Sequence, residues 1–380
     1  MPEPEVLGQR ALNRALLERQ LLLRRDDMSA LGAIKHLAGL QAQAPNAPYV
    51  GLWTRLAGFR TDHLAELLAE RAVVRTHLMR NTIHLVTADD GLAVRRLMQP
   101  FLDRSHSRSV FARDLTGVDL PALLDVGRAL LRDRPRTRDE LGKLLERRWP
   151  GRDPISLAYA ITHLVPTVQV PPRGIWGCTG QAAYTATDAW LGDLPVPSLS
   201  LDELVLRYLA AFGPATVRDV QAWCGLTRLR EVTERLRPRL RTFRDTGGGE
   251  LFDLPDAPRP DPGTPAAPRF LPEYDNVLLS HADRTRIIRD RRSVPLPPGL
   301  GGSNGTVLID GFWRGIWKIT RDRGGTVTLR VEPFTELTAE QAAGLTAEAT
   351  GLLAFVAPDA EASEIQLATA NLSEPHPKTP

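Results

Sequence analysis

Cysteine is nearly missing from this chain: of 380 residues only Cys178 and Cys224 carry thiols, with no CxxC pair or His/Cys cluster beside them. A disulfide framework or structural zinc site has almost nothing to build on, and no metal or cofactor is expected. Lysine is as scarce. Of 48 basic residues only Lys35, Lys143, Lys318 and Lys378 are lysines, so chemistry through an amine nucleophile has few candidates. No apolar run reaches the roughly 18 residues of a membrane span, and the amino terminus MPEPEVLGQR lacks a signal-peptide core. A soluble, cytoplasmic protein without a membrane partner is the expectation. The GxSxG, HExxH and GxxxxGK[ST] patterns are also absent. Gly299 to Gly305 is glycine-rich but precedes a strand, so it reads as a mobile loop and not as a phosphate cradle at a helix start.

What is present is ordinary globular material, 42% hydrophobic and 24% charged, in a length that allows two or three structural units. The formal charge is only +3, so the local distribution must speak for partners. Seven arginines and two glutamates lie between Arg228 and Arg244, and five arginines and two aspartates between Asp283 and Arg292. Such blocks suit DNA phosphates or guanine edges, or a solvated face, and arginine excess also follows from GC-rich coding.

Apolar spacing predicts a helix over Gly8 to Arg25, a second from Ser29 to the Gln41-Ala42-Gln43 segment, and a third from Thr61 to Ala72. Extended segments Val73 to Met79 and Thr82 to Val86 follow, joined at Arg80-Asn81, and Thr87 with Asp90 opens another helix. The order recurs. Helix Ala122 to Leu131, the capping box at Thr137 and Glu140, helix Pro154 to Leu164 and strand Thr167 to Val170 form one copy. Helix Leu201 to Phe212, the box at Thr216 and Asp219, a stop at Gly225, helix Thr227 to Leu236 and hairpin Arg239 to Leu254 form another. Helices followed by a hairpin, repeated at roughly 80-residue spacing, are the order of tandem winged helix-turn-helix motifs. A Pro/Asp/Ala-rich linker and a β-rich region closed by helix Thr338 to Val356 complete the chain. The expected division is 1–115, 116–197, 198–255, linker 256–268, a β-rich domain 269–360 and a tail 361–380.

Gln41 and Gln43 stand before Ala44-Pro45-Asn46-Ala47-Pro48-Tyr49. A carboxamide is no general base, but two of them can fix a water and aim a carbonyl dipole at a developing cation; on spacing alone, such a pair is more often a polar helix end. His77 and His84 share the hairpin, where a metal-ligand role competes with polar or stacking roles.

Four blocks, HLAGLQAQAPNAPYVGLWTRL, VRTHLMRNTIHLV, AFGPATVRDVQAWCGL and FLPEYDNVLLSHADR, resemble the winged-helix DNA glycosylases typified by AlkZ and YcaQ, over nearly the whole chain. The resemblance implies an α+β, mainly α fold: three tandem winged-helix motifs with a C-terminal β-barrel-like domain. It implies excision of bulky alkylated purines, interstrand crosslinks included, from double-stranded DNA by a monomeric, nucleoid-associated enzyme without metal or cofactor. The catalytic Gln-x-Gln motif falls on Gln41 and Gln43; YcaQ-like relatives have aspartate at the second position, so the chain stands closer to the AlkZ-like, self-resistance branch. Asn46, His77, Arg80, His84, Asp275, Asn276, His281, Arg284 and Arg286 are the expected DNA or lesion contacts. Asn81 stands where relatives commonly have glycine, and asparagine tolerates positive φ. The rival readings are a winged-helix transcription regulator and a non-catalytic protein that binds DNA or a drug.

Overall fold

Ser29 Oγ accepts the Gly32 N–H at 3.1 Å and starts the second helix of the chain, but that helix runs only over Ala30–His36. Ala38 (φ 54) and Gly39 (φ 90) turn the backbone left-handed. A Cβ on Gly39 would meet Val86 Cγ1 at 2.6 Å, so the sharp stop needs glycine. The expected helix end at Gln41 to Gln43 is therefore a strand: Leu40–Gln41 pairs antiparallel with Leu85 and His84.

The computed structural model describes residues 4–192, 197–289 and 304–368, and has an α+β fold with three sheets. One sheet has six strands in the order Leu40–Gln41, Ile83–Thr87, Val73–His77, Thr167–Val170, Ala183–Ala186, Arg136–Thr137. The strands expected for the first two repeats thus form one sheet, joined at the pairing of Arg75 with Gln169. Helix Pro154–Leu164 is buried along nearly its whole length. Its C-terminal carbonyls at His163 and Leu164 accept from Arg95 Nη2 at 3.0 and 3.2 Å, where a cation opposes the negative helix end. That helix faces protein, not a groove in DNA.

Helices Leu201–Phe212, Val217–Cys224 and Leu229–Leu236 follow, the first two opened by reciprocal capping boxes and the second closed by Gly225 at φ 80. Strands Arg241–Asp245 and Glu250–Asp253 form their hairpin, and Val6–Leu7 adds a parallel strand to it. Five strands in the order Arg269–Leu271, Gly305–Ile309, Phe312–Arg321, Val327–Pro333, Ser363–Leu367 make the last sheet, packed on helix Ala339–Val356. This sheet is open. Arg269–Leu271 and Ser363–Leu367 are its two edges, so the expected barrel is not closed among the described residues. Ser363–Leu367, placed in the tail by the sequence, pairs parallel with Val327–Val331 because Ile365 joins the apolar cluster under the sheet. Most of the glycine-rich 299–305 segment, Arg291 and Arg292, and the end of the tail lie outside the described residues.

Many arginines are interior clamps. Arg19 holds Asp253 through two bonds of 2.7 and 2.8 Å with both side chains buried, and Arg55 holds Asp275 through two bonds of 2.9 Å. Arg10, Arg14 and Arg19 donate to the carbonyls of Pro262, Thr264 and Pro258, so the 256–268 segment is fastened along the first helix.

Candidate functional site

The two glutamines sit at one edge of the six-stranded sheet, and their register puts Gln41 directly across from His84. Gln41 is buried and its Oε1 accepts from Arg80 Nη2 at 2.8 Å. The same nitrogen reaches Asn276 Oδ1 at 3.2 Å and His84 Nε2 at 3.5 Å, while Nη1 donates to the Trp223 carbonyl at 3.1 Å. Arg80 reaches all four because it stands at the hairpin tip, where Arg80 (φ 55) and Asn81 (φ 58) both take the left-handed conformation of a tight two-residue turn. The tolerance expected of Asn81 is thus used, and its Nδ2 donates to Ser105 Oγ at 3.2 Å.

His84 is fully buried, and its Nδ1 donates to the Thr82 carbonyl at 3.0 Å, which leaves Nε2 toward Arg80. Burial, and then the Arg80 charge, hold its pKa down at about 3, so the ring is neutral. Asn276 is buried and spans two segments, since its Nδ2 also donates to the Gly39 carbonyl at 3.0 Å. Every acceptor on Arg80 is neutral. Burial, and then the nearby Arg284 charge, push its pKa down to about 10. Arg284 is half-buried and makes no ion pair among the described residues.

Gln43 is exposed, and its Oε1 accepts the Ile83 N–H at 3.2 Å, standing in for a ladder carbonyl. Ala42 donates to the Ile83 carbonyl at 2.7 Å and accepts from Arg75 Nη2 at 2.9 Å. Both carboxamide oxygens are thus engaged, while neither Nε2 is bonded among the described residues. Asn46 is exposed at the start of helix Ala47–Trp53, and its side chain makes no capping bond.

Arg75 is the residue that sequence reasoning missed. It is 1% exposed, bonds Gln169 Oε1 at 3.2 Å from the second repeat, and is pushed down to about 10, first by burial and then by Arg173. An arginine inside the strand segment AVVRTHLM was the available signal, because a cation in a strand covered on both faces needs a dedicated partner.

Other expected contacts lie elsewhere. His77 faces the opposite side of the sheet from His84, its ring centroid 4.2 Å from that of His163 with the planes tilted by 40°. Asp275 is closed into its pair with Arg55 and caps the Val277 N–H at 3.0 Å. His281 donates from Nε2 to the Phe212 carbonyl at 3.0 Å, and Arg286 from Nη1 to the Pro214 carbonyl at 2.8 Å, both nearly fully buried. Asp275, His281 and Arg286 thus fasten the 272–288 segment to its neighbours through buried polar groups. In the Arg228–Arg244 block three arginines are held in ion pairs at the surface. Arg235 pairs with Asp202, Arg237 with Glu234 and Glu250, and Arg241 with Glu5.

The buried histidines predict acid sensitivity. His84 and His163 are each lowered to about 3, chiefly by burial, against an unfolded value near 6.5. Below pH ~6.5 the unfolded chain binds protons that the folded one refuses, so their stabilisation is complete above that pH and lost as pH falls toward ~3. Each histidine should contribute a slope of up to about 1.4 kcal/mol per pH unit there. The midpoint of thermal unfolding should fall steadily between pH 6.5 and 4.5, and less so in His163→Phe; a flat profile would contradict the neutral buried assignment.

A sequence model of the DNA glycosylase AlkZ-like family matches residues 34–355, which takes in the glutamine strand, the hairpin and the 272–288 segment. The chain belongs to the AlkZ-like DNA glycosylase family. It is 24% identical over 349 residues to the interstrand DNA cross-link repair glycosylase of Streptomyces sahachiroi, covering 84% of this chain and 89% of that one. The solved structure of Streptomyces sahachiroi DNA glycosylase AlkZ shares its fold, with a TM-score of 0.69 at 20% identity over 96% of this chain and 100% of the other. Among the described residues of this AlkZ-like protein, no helix is long and apolar enough to cross a membrane.

Proposed function

We propose that this AlkZ-like protein is a monofunctional DNA glycosylase that hydrolyses the N-glycosidic bond of bulky N7-alkylated guanine and related purine adducts in duplex DNA. Interstrand crosslinks linked through such purines belong to the same substrate class, and self-resistance to a genotoxic natural product is the role that fits. The observation that carries the reading is the neutral cluster itself: Gln41 and Gln43 flank Ala42 at a sheet edge beside Arg80, and among the described residues no carboxylate bonds any member. Alkylation at N7 makes the base cationic, which weakens the bond before the enzyme acts. No general acid is then needed at the leaving group, and the protein's task is to place water against C1′ and to face the oxocarbenium ion with amide dipoles. A carboxamide oxygen has a second lone pair, so a bonded glutamine can still orient a water. A bulky adduct disfavours flipping into a snug pocket, which supports a cleft that reads the lesion in place.

The reading keeps the three tandem winged helices as the scaffold, supported by the repeated order of helices and strands. Asn46, Arg80 and Arg284 are its DNA contacts, with Asn276 and His84 holding Arg80. The regulator reading gains no observation. Helix Leu229–Leu236 exposes Arg230 and Arg235 alongside Glu231 and Glu234, a self-cancelling face for reading a groove.

Incubation with duplex DNA bearing a single N7-methylguanine tests the reading. Free base and a heat-labile abasic site should form without direct strand cleavage. Borohydride should trap no covalent complex, since Lys35 stands exposed on the helix before the site; trapping through Lys35 would refute the monofunctional mechanism. Binding to undamaged duplex should weaken by roughly 10²-fold between 50 and 200 mM salt if about four phosphates are contacted. Salt-resistant, nanomolar preference for one undamaged palindrome would instead support a regulator.

A further inference from the structure

Arg80 Nη2 has two hydrogens and three acceptors within reach: Gln41 Oε1, Asn276 Oδ1 and His84 Nε2. None is charged, and the neighbouring guanidinium of Arg284 has no carboxylate partner among the described residues either. A guanidinium held only by neutral acceptors, with the charge of a second one bearing on it, leaves a demand for an anion, and the ligand of this protein supplies one at every nucleotide. Resting on the glycosylase reading, we propose that Arg80 and Arg284 form a phosphodiester subsite, and that a DNA phosphate seated there takes over the Arg80 hydrogen bond held by Gln41. The release frees the Gln41 carbonyl oxygen for the hydrolytic water.

The exchange follows from acceptor strength. A bond from a guanidinium to a charged oxygen is roughly twice as strong as one to a neutral amide, so the phosphate displaces a carboxamide and not the reverse. Arg80 stays in place meanwhile, because its Nη1 remains on the Trp223 carbonyl at 3.1 Å. Gln41 is thus tied while the subsite is empty of phosphate and competent when DNA is engaged, which couples backbone docking to water placement. It also accounts for a carbonyl that faces a cation when the chemistry needs it to face a developing one.

The test replaces, one at a time, the phosphates adjoining an N7-methylguanine in a duplex by neutral methylphosphonates. One position should lower single-turnover excision at least 10-fold. Arg284→Gln, at a half-buried site whose side chain makes no hydrogen bond or ion pair among the described residues, should fold normally and show a similar loss on the unmodified duplex. In that variant the sensitive methylphosphonate should cost no further rate. Gln41→Glu separates release from simple water binding: a carboxylate would pair with Arg80, compete with the phosphate and reduce excision at least 10-fold. Inorganic phosphate supplies an arm independent of catalysis, since it should raise the unfolding temperature of the unmutated protein more than that of Arg284→Gln. No sensitive phosphate, multiplicative losses, or equal phosphate stabilisation in both proteins would overturn the subsite, and an active Gln41→Glu would overturn the release. Failure of the unmutated protein to excise from the all-phosphate duplex would instead refute the glycosylase reading, with the inorganic-phosphate arm still deciding the subsite.

Discussion

Replacing Gln41 or Gln43 with alanine is expected to lower the single-turnover excision rate of an N7-alkylguanine by roughly 10²-fold or more, the scale for losing one positioned electrostatic group, while DNA affinity changes little. The two truncations reach the same end by different routes. Gln41→Ala removes the amide that Arg80 holds at 2.8 Å, and Gln43→Ala leaves the Ile83 N–H without its side-chain acceptor at 3.2 Å. Because both amides act on one water, the double variant should be little worse than the slower single one. Gln43→Asp should retain substantial activity, since a carboxylate accepts both from the Ile83 N–H and from water and favours a cation more strongly. A double alanine variant with the unmutated rate would return the pair to a polar stretch of sheet edge.

Removing the Asp275 carboxylate should act on stability first. Asp275→Ala would leave the Arg55 guanidinium buried with only the Gly51 carbonyl at 3.0 Å, and would also uncap the Val277 N–H. Breaking a buried pair from one side costs about 3–5 kcal/mol, so the urea midpoint should fall markedly. Asp275→Asn, which keeps an acceptor, should lose less. If Asp275→Ala unfolded at the unmutated urea concentration yet lost DNA affinity, the residue would be a DNA contact, as the sequence pattern indicates, and not an internal clamp.

Local rules made much of the scaffold readable. The capping residues Thr87, Thr137, Thr216 and Thr338 and the stop at Gly225 bond within a few positions of themselves, so their roles follow from short-range chemistry. Helix Pro154–Leu164 and strand Thr167–Val170 have the bounds that periodicity predicts. Where a partner lies far along the chain, the sequence was silent. The strand Leu40–Gln41 exists only because Leu85 and His84 supply its ladder, so an apolar helical face was extended too far. The clamps of Arg19 and Arg55 are of this kind, because Asp253 and Asp275 stand more than 200 positions away. In the site, the glutamines were readable as a motif; Arg80 bonds Gln41, His84 stands across the ladder from it, and Asn276 bonds Arg80. His77, Asp275, His281 and Arg286 belong to the same sequence blocks but point into the interior. Sequence neighbours of a site share its polarity without sharing its direction, and only packing separates the two.

The proposed chemistry depends on a leaving group that arrives already charged. Its most direct test compares single-turnover excision of N7-methylguanine with that of O6-methylguanine in the same duplex. The two bases have nearly equal size, and only the first is a cation. A cluster of neutral amides without an acid should release the cationic base and leave the neutral one in place over the same time course. Release of O6-methylguanine at a comparable rate would contradict the account, because the neutral base would require proton donation that Gln41, Gln43 and the neutral His84 do not provide.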